Sequence, residues 1–276
     1  MELEITKSDF NAAVPAAKEA KGQIFDVLKE SIQAELAYLE TQYLGNAGAQ
    51  AVETAADEIL VIKVKRLACI RAFLSQMRSL DLVLTSTGFG VVSTQNTAPA
   101  SKQRVDALEG QLRIQERLLL GSLLDRLFHV SGWNAQQQRL WHVTTLFFCI
   151  QQLEQWAGIS RPEPQDWDAA VPSILAADAF LRKHLGNVYM DELLGQMTSS
   201  SLTIENMPIV VMCQQYIGAY VAQNMRLKEE TYMRLINRLE ADLTKYPAYK
   251  NGEGYRLNHF KPYENHADDS AFHFVG

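Results

Sequence analysis

Apolar residues recur at spacings of three and four along nearly the whole chain, and one long stretch, Asp81 to Val105, breaks that period. A sustained helical period with a single interruption restricts the fold to a helical body carrying one insertion. Inside the interruption Leu80, Leu82 and Leu84 alternate with polar or smaller residues, and Val91 and Val92 follow a Thr-Gly-Phe-Gly turn. Alternation on both sides of a glycine-bearing turn predicts a β-hairpin, with Gly88 and Gly90 supplying positive φ and Phe89 held out at the turn tip. Helix resumes after Gln95, with Asn96 or Thr97 as cap and Pro99 near the first turn. The expected fold class is therefore mainly α: a multi-helix bundle with one inserted β-hairpin and an extended C-terminal arm. Residues 1–247 would form the body, with the hairpin inserted at 81–95, and residues 248–276 the arm.

The periodicity also divides the body. A short helix is expected from Thr6 to Lys21 with Ser8 as its cap, and Gly22 separates it from an amphipathic helix over Gln23–Leu44, closed by Gly45 and Asn46. Ala47 to Ser79 reads as one longer helix, apolar over most of its circumference past Ile59 and so central and largely buried. Beyond Pro99, the stripe Val105, Leu108, Leu112, Leu119, Leu123, Leu127 and Val130 predicts a long helix that Ser131-Gly132 breaks. Ala135 to Ala157 is expected as the next helix, with Trp141, Phe147, Phe148 and Trp156 in the core. After a proline-bearing loop, helix runs from Asp166 to Leu185 with a restart near Val171 forced by Pro172. A short helix over Tyr189–Met197 and a long helical region from Thr203 to Tyr246, bent near Pro208, complete the body.

The run LDLVLTSTGFGVVSTQNTAPASKQRV resembles the hallmark of an uncharacterised protein family of Bacteroidetes bacteria, their prophages and their phages. The residues that carry the likeness are Leu84-Thr85, Gly88-Phe89-Gly90-Val91-Val92, Ala98-Pro99-Ala100-Ser101-Lys102 and Arg104-Val105. The likeness is specific over about two dozen residues and loose elsewhere. It implies a structural role in virion assembly, such as a head-to-tail connector or collar ring subunit, and it carries no catalytic residues over to this chain. The partners it implies are further copies of the chain in a ring, together with neighbouring virion proteins. The location implied is the host cytoplasm, and the virion if the chain is phage-derived.

At 276 residues and 47% hydrophobic content the chain buries a real core without disulfides or metal. A formal charge of −6 argues against a general nucleic-acid binder. Cys69, Cys149 and Cys213 lie far apart in apolar helical contexts, the pattern of buried, reduced thiols. The opening MELEITKSDF lacks a signal pattern and no apolar run reaches the length of a membrane span, so a soluble cytoplasmic protein is expected.

The chain carries few patterns of reaction chemistry. No histidine has a glutamate three residues before it, and there is no His-Glu-x-x-His, Cys-x-x-Cys or phosphate-binding loop. Gly88-Phe-Gly90 lacks the third glycine of a dinucleotide fingerprint. His259, His266 and His273 recur every seven residues, but in a segment without helical period, so a metal site is not expected. Neither a catalytic residue nor a cofactor is expected. Lys63, Lys65, Arg66, Arg71 and Arg78 form a basic stretch with no acid among them. Side chains reaching out of a buried helix explain it better than contact with DNA. From Pro247 the chain combines Gly252, Gly254 and Pro262 with Phe260, Tyr263, Phe272 and Phe274, too many aromatics for a solvated tail. The expected interaction residues are Gly88, Phe89 and Gly90 in the hairpin and Phe260, Tyr263, Phe272 and Phe274 in the arm. The alternative to a virion subunit is a helical ligand-binding protein or enzyme with a pocket between bundle helices.

Overall fold

The computed structural model describes residues 3–17, 23–80, 82–85, 88–91 and 101–260. Its body is helical, and two central helices organise it. The first is α4 (Glu58–Gln76), packed between α1 (Lys7–Ala13), α2 (Gln23–Leu39) and α5 (Lys102–Leu127). Four consecutive residues, Leu67, Ala68, Cys69 and Ile70, are fully buried. Successive residues turn by about 100° on a helix, so four in a row exclude solvent from the whole circumference. The second is α10 (Met207–Val221), enclosed by α7 (Gln151–Ala157), α8 (Pro164–Leu185) and α11 (Met225–Glu240). There Tyr216, Ile217, Gly218 and Ala219 are likewise buried in succession. Gly218 is required by packing: a Cβ at that position would fall on the backbone of Trp156 in α7.

Local chemistry sets the helix boundaries, and several differ from the periodic pattern. Thr6, not Ser8, caps α1. Its hydroxyl accepts from the Asp9 N–H at 3.2 Å while the Asp9 carboxylate accepts from the Thr6 N–H at 2.8 Å. The helix ends at Ala13, and a short 3-10 turn, Pro15–Ala17, follows. The helix expected over Gln23–Leu44 widens into a π-turn over Glu40–Leu44, and Gly45 then opens α3 (Gly45–Glu53) rather than closing the segment. The single helix expected from Ala47 to Ser79 is two. It breaks after Glu53 because Asp57 caps α4, its carboxylate accepting from the N–H groups of Ile59 and Leu60 at 3.1 Å each. The expected helix over Ala135–Ala157 is also broken, into a 3-10 turn (Trp133–Ala135), α6 (Gln137–His142) and α7, with irregular backbone between the two α-helices.

In the opposite sense, α8 does not restart at Pro172. It runs unbroken from Pro164 to Leu185. Pro172 is exposed, and the buried positions Ala170, Ile174, Ala177 and Leu181 keep one stripe on both sides of it. Packing against α10 holds the helix through the missing backbone bond. The expected long region from Thr203 to Tyr246 is a helical pair, α10 and α11, turning at Ala222–Asn224, with Pro208 in the first turn of α10 where its lost donor costs nothing. Between α8 and α10 in sequence, α9 (Asn187–Thr198) follows the Gly186 break directly.

Among the described residues one strand pairing occurs, antiparallel between β1 (Leu82–Thr85) and β2 (Gly88–Val91). Its register sets Leu84 opposite Phe89 and Thr85 opposite Gly88. Gly88, Phe89 and Gly90 thus belong to a strand, and Phe89, paired with Leu84, is not at the tip of a turn. The proposed caps Asn96 and Thr97 lie outside the described residues, and α5 begins at Lys102 with Ser101 at its N-cap.

The segment from Pro247 was expected to be extended. Its first part is helical instead, as α12 (Pro247–Lys250) and α13 (Glu253–Asn258). Tyr249 is fully buried, with its ring 6.1 Å from that of Tyr189. Gly254 lets α13 close on the end of α8, since a Cβ there would strike the His184 carbonyl. Residues 248–258 therefore belong to the body. The remaining expected arm residues, Tyr263, Phe272 and Phe274, lie outside the described residues.

Candidate functional site

Helices α4 and α5 run antiparallel and are joined by polar rungs along their length. Asp57 pairs with Arg126, Lys63 donates to the Ser122 hydroxyl, and Arg71 pairs with Glu116. At the far end Arg78 reaches Asp106 at 2.8 Å and Glu109 at 2.5 Å. Arg71 also binds Glu35 of α2 at 2.6 Å and lies 4.5 Å over the ring of Tyr38, while Lys65 pairs with Asp9 of α1 at 3.1 Å. Lys65, Arg71 and Arg78 of the basic stretch are thus paired with carboxylates of the chain, Lys63 meets a hydroxyl, and Arg66 is exposed. In chain order β1 and β2 lie between these two helices. Hydrogen bonds from Arg126 and from the backbone of α4 hold the Asp57 carboxyl below its usual range against the opposing effect of burial, and pairing with Arg78 and Arg113 does the same for Glu109.

A cleft of about 290 Å³ opens between α5, the irregular backbone before α7 and α8. One side chain builds its wall. The buried Gln152 accepts from the N–H groups of Phe148 and Cys149 at 2.6 and 3.0 Å and donates to the Leu146 carbonyl at 3.1 Å. It replaces the helical bonds that this backbone forgoes. Gln214 of α10 adds a second donor to Leu146 at 3.0 Å. Beside the cleft the π-turn presents free carbonyls, and three side chains satisfy them: Trp133 Nε1 on Tyr43, Gln138 Nε2 on Thr41, and His142 Nε2 on Gln42, at 2.8, 3.0 and 2.9 Å. A carbonyl can only accept, so the His142 proton sits on Nε2. The His142 ring stacks on Tyr43 at 4.1 Å, and burial lowers its pKa, so it is neutral at pH 7. Burial pushes the Cys149 thiol up to about 11, which leaves it protonated at neutral pH.

The rim is apolar with one cation. Trp141 and Leu175 are each 50% exposed there, and Arg117 reaches Asp168 across from α5 to α8 at 3.3 Å. Trp141 was expected in the core; it stands at the rim because the helix that would have buried it ends at His142. Phe147 is buried as expected, while Phe148 and Trp156 are partly exposed. The lining holds a tied imidazole, a protonated thiol, Arg117, Thr144 and Thr145 among aromatic and aliphatic side chains, and no carboxylate.

Of the expected interaction residues, the structure places Phe260 at the surface, 75% exposed, and places Gly88, Phe89 and Gly90 in β2. It does not bring these together with the cleft. The cleft leaves no mark in the sequence, because it depends on the bonds of Gln152 to the backbone of Leu146, Phe148 and Cys149 and not on an apolar period. Among the described residues no cluster of histidine, cysteine and carboxylate side chains is arranged to hold a metal. His259 instead contacts Glu240 at 3.3 Å and the Tyr255 carbonyl at 2.9 Å. No helix among the described residues is long and apolar enough to cross a membrane.

Fold and site define a mainly helical protein with a braced helix pair and one aromatic cleft. Residues 24–142, somewhat under half of the chain, match a family model described as a family of unknown function (DUF6712). No curated protein and no solved structure matches the chain.

Proposed function

We propose that the chain is a structural subunit of phage or prophage virion assembly, a head-to-tail connector or collar ring component whose partners are further copies of itself and neighbouring virion proteins. The braced α4–α5 pair carries this reading. It is a stiff support, and β1 and β2, within the very stretch that resembles the phage family, lie between its helices in chain order. Ring subunits need heterologous contacts that close by rotation, and a hairpin offered on a rigid support supplies one half of such a contact. Three of the five residues of the basic stretch, Lys65, Arg71 and Arg78, are paired with carboxylates of the chain, so binding to DNA is not part of the reading.

The decisive measurement is native mass at high protein concentration together with negative-stain imaging. A closed ring at an integer multiple of the chain mass is expected, and Phe89→Ala should weaken it while leaving the melting temperature of the monomer nearly unchanged. A chain that stays monomeric at every concentration and is missing from purified particles overturns the proposal. The cleft beside Trp141 favours a second reading, a helical ligand-binding protein or enzyme, because its volume lies just under the range of small-molecule sites. A ligand panel that raises the melting temperature of the wild type but not of Trp141→Ala would favour that reading instead.

A further inference from the structure

The cleft between α5 and α8 has a charge and a chemistry that narrow what can fill it. Among the described residues its lining includes one charged side chain, Arg117, since His142 is neutral, Cys149 is protonated and no carboxylate takes part. The Arg117 guanidinium meets Asp168 through a single bond of 3.3 Å, and that carboxylate is 68% exposed. An exposed pair of this kind is weak, and it leaves most of the guanidinium N–H donors unused. Two hydroxyls of the lining, on Tyr43 and Thr144, have no hydrogen-bond partner among the described residues. Burial raises the Tyr43 pKa, so its phenol keeps its proton at neutral pH and serves as a donor. The cleft thus holds a cation and two hydroxyls with no anion of its own set among them.

Rings make up much of the remaining lining. Tyr43 and His142 stack at 4.1 Å with 11° between their planes, and Phe147 and Trp167 at 6.3 Å with 15°. Trp141 adds a further indole at the rim, 50% exposed. Aromatic side chains hold another flat ring by offset or edge contacts, and a half-bare indole gains apolar burial when it is covered. The volume of about 290 Å³ places the occupant at the small end of what protein clefts take. A planar guanidinium fork matches the two oxygens of a carboxylate. We infer that the cleft binds a small aromatic carboxylate, with the acid group on Arg117 in place of Asp168 and the ring among Tyr43, Phe147 and Trp141. The inference rests on the ligand-binding reading of this cleft and narrows it to one chemical class; it does not depend on whether the chain forms a ring.

Isothermal titration calorimetry of the full-length protein against naphthoate, indole acetate and phenylpropionate, each beside its own primary amide, tests it. At least one acid should bind roughly tenfold or more tightly than its amide, because the neutral analogue loses a charge-assisted bond to Arg117. Arg117→Gln should bring acid and amide to equal affinity. Asp168→Asn should tighten the acid alone, and added salt should weaken the acid alone. Trp141→Ala should weaken both. Arg117 and Trp141 stand at the rim, so melting temperatures without ligand should stay near wild type, which separates lost binding from lost fold. Acids and amides that bind equally, with both lost in Trp141→Ala, would overturn the inference while the ligand-binding reading of the cleft stands. Acids that keep their advantage in Arg117→Gln would overturn it by placing the anion elsewhere. Absence of binding by every acid and amide at millimolar concentration would overturn the inference and that reading together.

Discussion

Asp178 is a carboxylate in an unfavourable place. It sits on the buried stripe of α8, with Oδ2 accepting from Arg182 at 2.7 Å and Oδ1 buried without a partner. Burial raises its pKa, and the Arg182 contact only partly opposes that shift. For an acid with a raised folded value, the folded state binds the proton more tightly than the unfolded chain. The stability gained from the protonated form is full below an ordinary aspartate pKa of about 3.9 and is lost as pH rises through the folded value. Asp57 and Glu109 behave oppositely: their depressed values contribute stability above that range, lost as pH falls. Asp178→Asn removes one term and leaves the others. The urea midpoint of the variant, measured against wild type, should therefore shift in favour of the variant between pH 4 and pH 7. A difference that does not change with pH would show that Arg182 fully compensates the buried charge.

At the scale of elements, the α4–α5 rungs are not equivalent. Arg71 joins three helices through Glu35 and Glu116, with little of any of the three side chains exposed. Arg78 lies at the open end and is 59% exposed. Removing one partner of a shielded pair strands its carboxylates, whereas an exposed pair is screened by water. Arg71→Ala should cost about 2–3 kcal/mol in urea unfolding, and Arg78→Ala less than about 1 kcal/mol. Equal losses would place the brace at the open end, near β1, instead of in the middle of the pair. The same contrast explains which element boundaries were legible. The stripe of α5 was read nearly end to end, because one apolar face repeats without a competing polar bond. The breaks at Asp57 and before Gln152 were not, because each depends on a single side chain whose hydrogen bonds outweigh a continuing apolar period.

For the whole molecule, the segment after Tyr246 decides how much of the chain forms the body. Tyr249 is fully buried among the rings of Tyr189 and Tyr255. Tyr249→Ala should cost about 3 kcal/mol by opening a cavity, read as a lowered urea midpoint with an unchanged slope. A near-neutral effect would return residues 248–258 to a detachable arm. By itself the amino-acid sequence determined that the body is helical and that the helix which became α4 is apolar over most of its circumference past Ile59. These are local consequences of period, propensity and backbone freedom, each written within a few neighbouring residues. Tertiary structure alone decided that Lys63, Arg71 and Arg78 bind carboxylates and a hydroxyl more than thirty residues away in chain order or close to it, that Trp141 stands at a rim, and that Gly254 closes a helix onto α8. Each of these depends on which surface arrives opposite a residue, and a period along one helix holds no information about the helix that packs against it.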